Sequence, residues 1–161
     1  MPTADELRHA LIRNLRDAPR ERFVREPRYD TETASMTRGT AASKLGASFD
    51  IVAPGQLSCP YHFHHAQEEM FVILQGEGTL RVAGERLPIR AGDVITIPAG
   101  PDYPHHIINT SGAPLHYLSI STMEKPEVCE YPDSGKVGAF APGLRLLQKR
   151  EAGLDYWDGE P

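Results

Sequence analysis

Residues 45–122 form a succession of short apolar runs, broken at intervals of about ten residues by Gly, Pro or Asn and never interrupted by a helical stretch. Strand candidates follow at 48–52, 69–74, 79–83, 85–89, 94–97, 104–108 and 115–121. Ala83-Gly84-Glu85 and Arg90-Ala91-Gly92-Asp93 lie between neighbouring runs, and Gly accepts the positive φ that tight hairpin turns demand. A meander of this kind exposes unpaired edges unless it closes or stacks on itself. The expected fold class is therefore all-β, a jelly roll or small barrel, with helices confined to the ends.

The ends have a different character. Thr3 followed by Glu6 forms a capping-box pattern, and Leu7, Leu11, Ile12 and Leu15 then share one helical face, which predicts a short helix over 4–16. Residues 17–46 are polar and carry Pro19 and Pro27, so they read as an arm laid over the main fold. After Thr122 the chain loosens again, and its tail residues Tyr156 and Trp157 are open between a fraying terminus and a clasp on the barrel or on a partner subunit. The whole length of 161 residues is expected to be a single domain: core 45–122, N-terminal helix and arm 1–44, C-terminal extension 123–161.

Charge and cysteine content exclude several functions. A net charge of −5 disfavours a nucleic-acid or anionic-membrane partner and favours a small-molecule ligand. Seven arginines crowd the first 28 residues, but Asp5, Glu6, Asp17, Glu21 and Glu26 lie among them and no apolar signal core is present. A cytoplasmic protein is the expectation. Cys59 and Cys129 fit neither a disulfide framework nor a zinc ribbon.

The chemistry is carried by histidine. His62 and His64 lie two apart, so in an extended chain they share a face while Phe63 and His65 turn away. Glu69 opens the next strand and can stand beside them; a further ligand would come from His105 or His106. Imidazoles with one carboxylate suit a divalent transition ion, Fe, Mn, Ni, Zn or Co, rather than Mg or Ca, and such an ion would keep positions open for substrate. Of the neighbours, Glu68 should face away, Cys59 reads as a free thiol, and Tyr61, Tyr103 and Gln67 are packing or turn residues that could edge a pocket mouth. Arg81 alternates with Leu80 and Val82 and should point outward, leaving no evident inward cation for a phosphate.

In this region the sequence resembles the cupin superfamily. Gly55, His62, His64, Glu69 and Gly76 follow the first cupin motif with one extra residue after Gly55; Gly92, Pro98, Gly100, His105 and Asn109 follow the second with two extra residues before the histidine. The resemblance implies a double-stranded β-helix and a metal held by His62, His64, Glu69 and His105. Strand parity agrees, since it sends His106 outward. Small cupins of this type include sugar-phosphate isomerases and dioxygenases, the latter suited by the inward parity of Phe71, Ile73 and Ile107; a non-enzymatic cupin that binds or senses a small ligand is the alternative. The resemblance also suggests a homodimer.

Overall fold

A computed structural model describes all residues, Met1–Pro161. Its only α-helix, α1, spans Ala4–Leu11. The Thr3 hydroxyl accepts from the Glu6 amide at 3.2 Å, and the Glu6 carboxylate accepts from the Thr3 amide at 2.7 Å, the reciprocal cap that the sequence predicts. The helix stops short of the expected Arg16 because the Arg13 guanidinium turns back onto the carbonyls of His9, at 2.6 Å, and Ile12, at 2.9 Å. Those carbonyls no longer need amides from a continuing helix. No helix is long and apolar enough to cross a membrane.

Thirteen strands follow: β1 Glu21–Arg25, β2 Tyr29–Ser35, β3 Leu45–Val52, β4 Phe63–His64, β5 Glu69–Gln75, β6 Glu77–Val82, β7 Glu85–Arg90, β8 Val94–Ile97, β9 His105–Ile108, β10 Leu115–Thr122, β11 Glu127–Tyr131, β12 Lys136–Ala141 and β13 Leu144–Lys149. One sheet runs β1-β2-β3-β10-β5-β8, a second β7-β6-β9, a third β13-β12-β11-β4. Single bridges, Leu57 to Ile108 and His62 to His105, lay the segment 57–62 along β9 of the second sheet, and that segment runs directly into β4 of the third. Hairpin β6–β7 turns at Ala83 and Gly84, both with positive φ, a pairing that matches strand twist in a two-residue loop.

The arms are not loose. Residues 21–35 form a hairpin whose second strand pairs with β3 from Thr31–Val52 to Ser35–Ser48 and so widens the first sheet. Residues 127–149 form β11, β12 and β13, and β11 pairs with β4 beside the histidines. Tyr156 and Trp157 meet edge to face at 4.9 Å but are 82% and 70% exposed, so the tail does not clasp the barrel.

The core lies between the first and second sheets. Val52, Phe71, Ile73, Ile97, Leu115 and Tyr117 face it from the first sheet, and Leu80, Ile89 and Ile107 from the second. Alternation in each strand puts these residues inside, each contributing roughly 1.5–3 kcal/mol by leaving water. At the closed end, buried Asn109 donates from Nδ2 to the carbonyls of Val52 and Ala113, each at 2.8 Å, and accepts from Ser111, tying the β9–β10 loop to β3.

Candidate metal centre

His62, Glu69 and His105 come together at one end of the barrel, their ligand atoms within 4.8 Å of one another, and His64 joins them through its approach to Glu69. Glu69 Oε2 lies 2.9 Å from His105 Nε2, 3.5 Å from His64 Nε2 and 3.8 Å from His62 Nε2. The elements account for this placement. His62 is bridged to His105 on β9, His64 ends β4, and Glu69 opens β5 after the turn at 65–68. His105 is 1% exposed, with the Phe71 ring 5.6 Å away as an apolar wall.

The far sides of the rings fix how they present themselves. His62 Nδ1 is 2.9 Å from the Pro60 carbonyl, His105 Nδ1 is 3.0 Å from the Tyr103 carbonyl, and His64 Nδ1 is 3.2 Å from the Glu127 carboxylate. Each of these partners only accepts, so each Nδ1 carries a proton and donates it, and in its neutral form each ring turns an Nε2 lone pair inward. Three lone pairs and a carboxylate oxygen therefore converge with no donor among them. Glu69 Oε2 and His105 Nε2 are both buried, and despite their 2.9 Å separation neither has a hydrogen-bond partner of proper geometry. Buried acceptors in this state are costly unless a cation joins them. Soft nitrogen donors with one carboxylate match a divalent transition ion.

The electrostatics point the same way. Burial works to raise the Glu69 carboxyl, but a hydrogen bond from His105 and positive charge at His64, His105 and His62 outweigh it and hold the group below its ordinary range, so the carboxylate is ionised and favours positive charge at this spot, on a ring or on a bound cation. His64 is pulled down by burial and by His62, against the opposing pull of Glu69 and Glu127, so its ring stays neutral and able to ligate.

Three features escaped the sequence reading. Glu127, 2% exposed, accepts from the amides of His65, Ala66 and Gln67 at 3.0, 3.1 and 3.0 Å besides meeting His64. Tyr131 stacks on His62 at 6.1 Å with a 27° tilt. Cys129, opposite His64 in the β4–β11 pairing, brings its sulfur near His62 and His64. Its thiol is not a ready ligand, because burial pushes its pKa up to about 11. The signal for this segment was the turn Pro132-Asp133-Ser134-Gly135 between two β-prone stretches, which marks a hairpin.

The remaining expected neighbours settle into structural roles. Tyr61 is buried away from the site, accepting from the Gly84 amide at 3.1 Å beneath the Arg81 guanidinium. Gln67 donates to the Glu124 carbonyl, Glu68 is exposed, and His106 turns out of the barrel, its Nδ1 3.1 Å from the Cys59 carbonyl.

Comparison with known proteins gives this fold a class. Residues 48–121 match a family model described as the cupin domain, so the chain carries a cupin-type domain. Its fold is shared with a candidate sugar phosphate isomerase of Acidithiobacillus ferrooxidans, at 25% identity over 96% of this chain and 95% of that one with a TM-score of 0.79. A sugar phosphate isomerase of Silicibacter pomeroyi matches at 20% identity and a TM-score of 0.77, over 90% of this chain and 96% of that one, a likeness of fold alone. An oxalate-binding protein of Thermotoga maritima is 37% identical over 67 residues, 42% of this chain and 53% of that protein. The chain spans about half the length of the curated relatives it matches.

Proposed function

We propose that His62, His64, Glu69 and His105 hold a divalent transition metal and that the protein acts through it on a small, oxygen-rich molecule, with aldose–ketose isomerisation of a sugar or sugar phosphate as the best-supported reaction. The observation that carries the reading is the convergence of three Nε2 lone pairs and one carboxylate oxygen, two of them buried without partners. The near full-length likeness to a candidate sugar phosphate isomerase supports the choice of reaction. When bound, the ion supplies Lewis-acid polarisation of a hydroxy-carbonyl substrate and eases proton loss from the adjacent carbon.

The chain's own groups do the rest. The carbonyls of Pro60 and Tyr103 and the Glu127 carboxylate hold the three rings in their Nδ1–H form. Phe71 and Ile107 keep the floor dry behind His105. Tyr131, stacked on His62, has its phenol pushed above its ordinary pKa chiefly by burial, so it stays protonated and able to donate a hydrogen bond at the rim.

A second reading is binding without turnover. The oxalate-binding relative supports it, since a dicarboxylate would fill two metal positions without needing an acid–base pair. Elemental analysis of untagged protein, with Glu69→Gln and His105→Ala alongside, tests the metal. Near-stoichiometric metal in the wild type, lost in folded variants and lost in acid as protons compete for its ligands, is the expected result. Failure of every transition ion to load overturns it. Solvent-deuterium incorporation into aldose and ketose phosphates by the loaded protein separates the isomerase from the binder.

A further inference from the structure

Arg81 faces outward, as its alternation with Leu80 requires, and what it meets there has no part in the metal centre. In the β7-β6-β9 sheet, Arg86, Arg81 and His106 are register partners in one row across the outer face, opposite the core residues Leu80 and Ile107. Against this row lie the tip of the β1–β2 hairpin, with Arg25 and Arg28, and the tip of the β11–β12 hairpin, with Asp133 and Lys136. Together they enclose a cavity of about 510 Å³.

Its charge is one-sided. Asp133 is the only carboxylate in the lining, and it is already engaged by both terminal nitrogens of Arg81, at 2.6 and 2.9 Å. Arg25, Arg28, Arg86 and Lys136 form no ion pair, although acids pair with arginines elsewhere on the surface, as Asp30 does with Arg22 and Glu32 with Arg20. Four uncompensated cations around one concavity repel each other and focus a positive potential into it.

His106 adds an independent observation. Its ring lines the cavity and is 5% exposed, its Nδ1 lies against the Cys59 carbonyl, and its buried Nε2 has no partner. Because the carbonyl only accepts, Nδ1 donates and the neutral ring leaves Nε2 as an unmet acceptor. An occupant whose hydroxyl reached this buried atom would satisfy it.

We propose that this outer cavity is a second ligand site, taking a small phosphate-type anion through Arg25, Arg28, Arg86 and Lys136 and a hydroxyl of the same ligand through His106 Nε2. The site shares the β9 strand with the metal centre but presents the opposite face, His106 outward and His105 inward, and it stands whether or not a metal loads.

Calorimetric titration with inorganic phosphate at constant ionic strength tests it. Inorganic phosphate carries both the charge and a P–OH group, whereas sulfate at neutral pH has the charge without the proton. Saturable phosphate binding, weaker for sulfate, is expected. Removing two exposed cations in the double variant Arg28→Gln with Arg86→Gln should weaken it by about tenfold or more, the scale of a lost charge-assisted contact. Binding should persist in Glu69→Gln, where the metal centre is disabled. No saturable binding, unchanged affinity in the double variant, or loss of binding in Glu69→Gln overturns the site, and equal affinity for sulfate overturns the role given to His106.

Discussion

Glu127→Gln changes one oxygen for one nitrogen, yet the structure makes it a severe substitution. The carboxylate takes four donors: His64 Nδ1 and the His65 amide at Oε1, the Ala66 and Gln67 amides at Oε2. A glutamine keeps one acceptor oxygen and turns an NH2 toward the other two donors, so whichever way it sits, two N–H groups face a donor. Each stranded donor costs about 1–3 kcal/mol, and partial solvent access to the 65–67 turn trims the sum to about 3 kcal/mol. With a urea slope of about 2 kcal/mol/M for a chain of this size, the unfolding midpoint should fall by about 1.5 M. Loss of the His64 anchor should also weaken metal affinity by about 10–100-fold. Urea melts followed by circular dichroism, with competitive metal titration on the folded fraction, read both effects. A midpoint within about 0.3 M of the wild type would refute the reasoning, because a turn that tolerates donor against donor is not held by the carboxylate.

Two further substitutions have clear directions. Asp50, buried in β3, has its carboxyl raised above the ordinary 3.8 by burial, against the opposing hydrogen bonds of Ser48 and Thr33. Such a group favours the folded state only while protonated, so its contribution is present below the unfolded value and lost as pH rises through the raised one. Asp50→Asn, which can still accept from Ser48, should melt higher than wild type at pH 7 and alike near pH 3; a lower melting point at pH 7 refutes the sign. A Cβ at Gly78 would lie 2.6 Å from the Ile108 carbonyl oxygen and 2.9 Å from a Leu115 methyl, both rigidly held, so Gly78→Ala should destabilise by about 3 kcal/mol in the same melts.

The barrel was legible because its strands are short and punctuated. β8 at Val94–Ile97 falls where the apolar run lies, and β5, β7 and β10 differ from expectation by a residue at an end. That His62, His64 and His105 would stand near Glu69 was legible because period-two alternation and the motif spacing describe the same geometry. β1 and β2 were not, since Tyr29–Ser35 is mostly polar and pairs only because β3 offers an edge. Glu127 was hidden for a different reason: its role depends on donors more than fifty residues earlier, and nothing local distinguishes it from a surface glutamate. The outer cavity likewise draws its cations from three separated segments, so they read singly as solvated charge.

The position of β11 carries a consequence for how the site comes into being. All four convergent side chains precede residue 106, but the carboxylate that orients His64 and the ring that stacks on His62 belong to Glu127 and Tyr131. On a ribosome adding about 5–20 residues each second, the histidines emerge before their support does, by a delay on the order of seconds. A nascent chain arrested after β10 would hold every residue of the cupin pattern and still have an unbraced His64, open to the wrong ring orientation. The order of synthesis makes the last hairpins the step that commits the centre to its geometry.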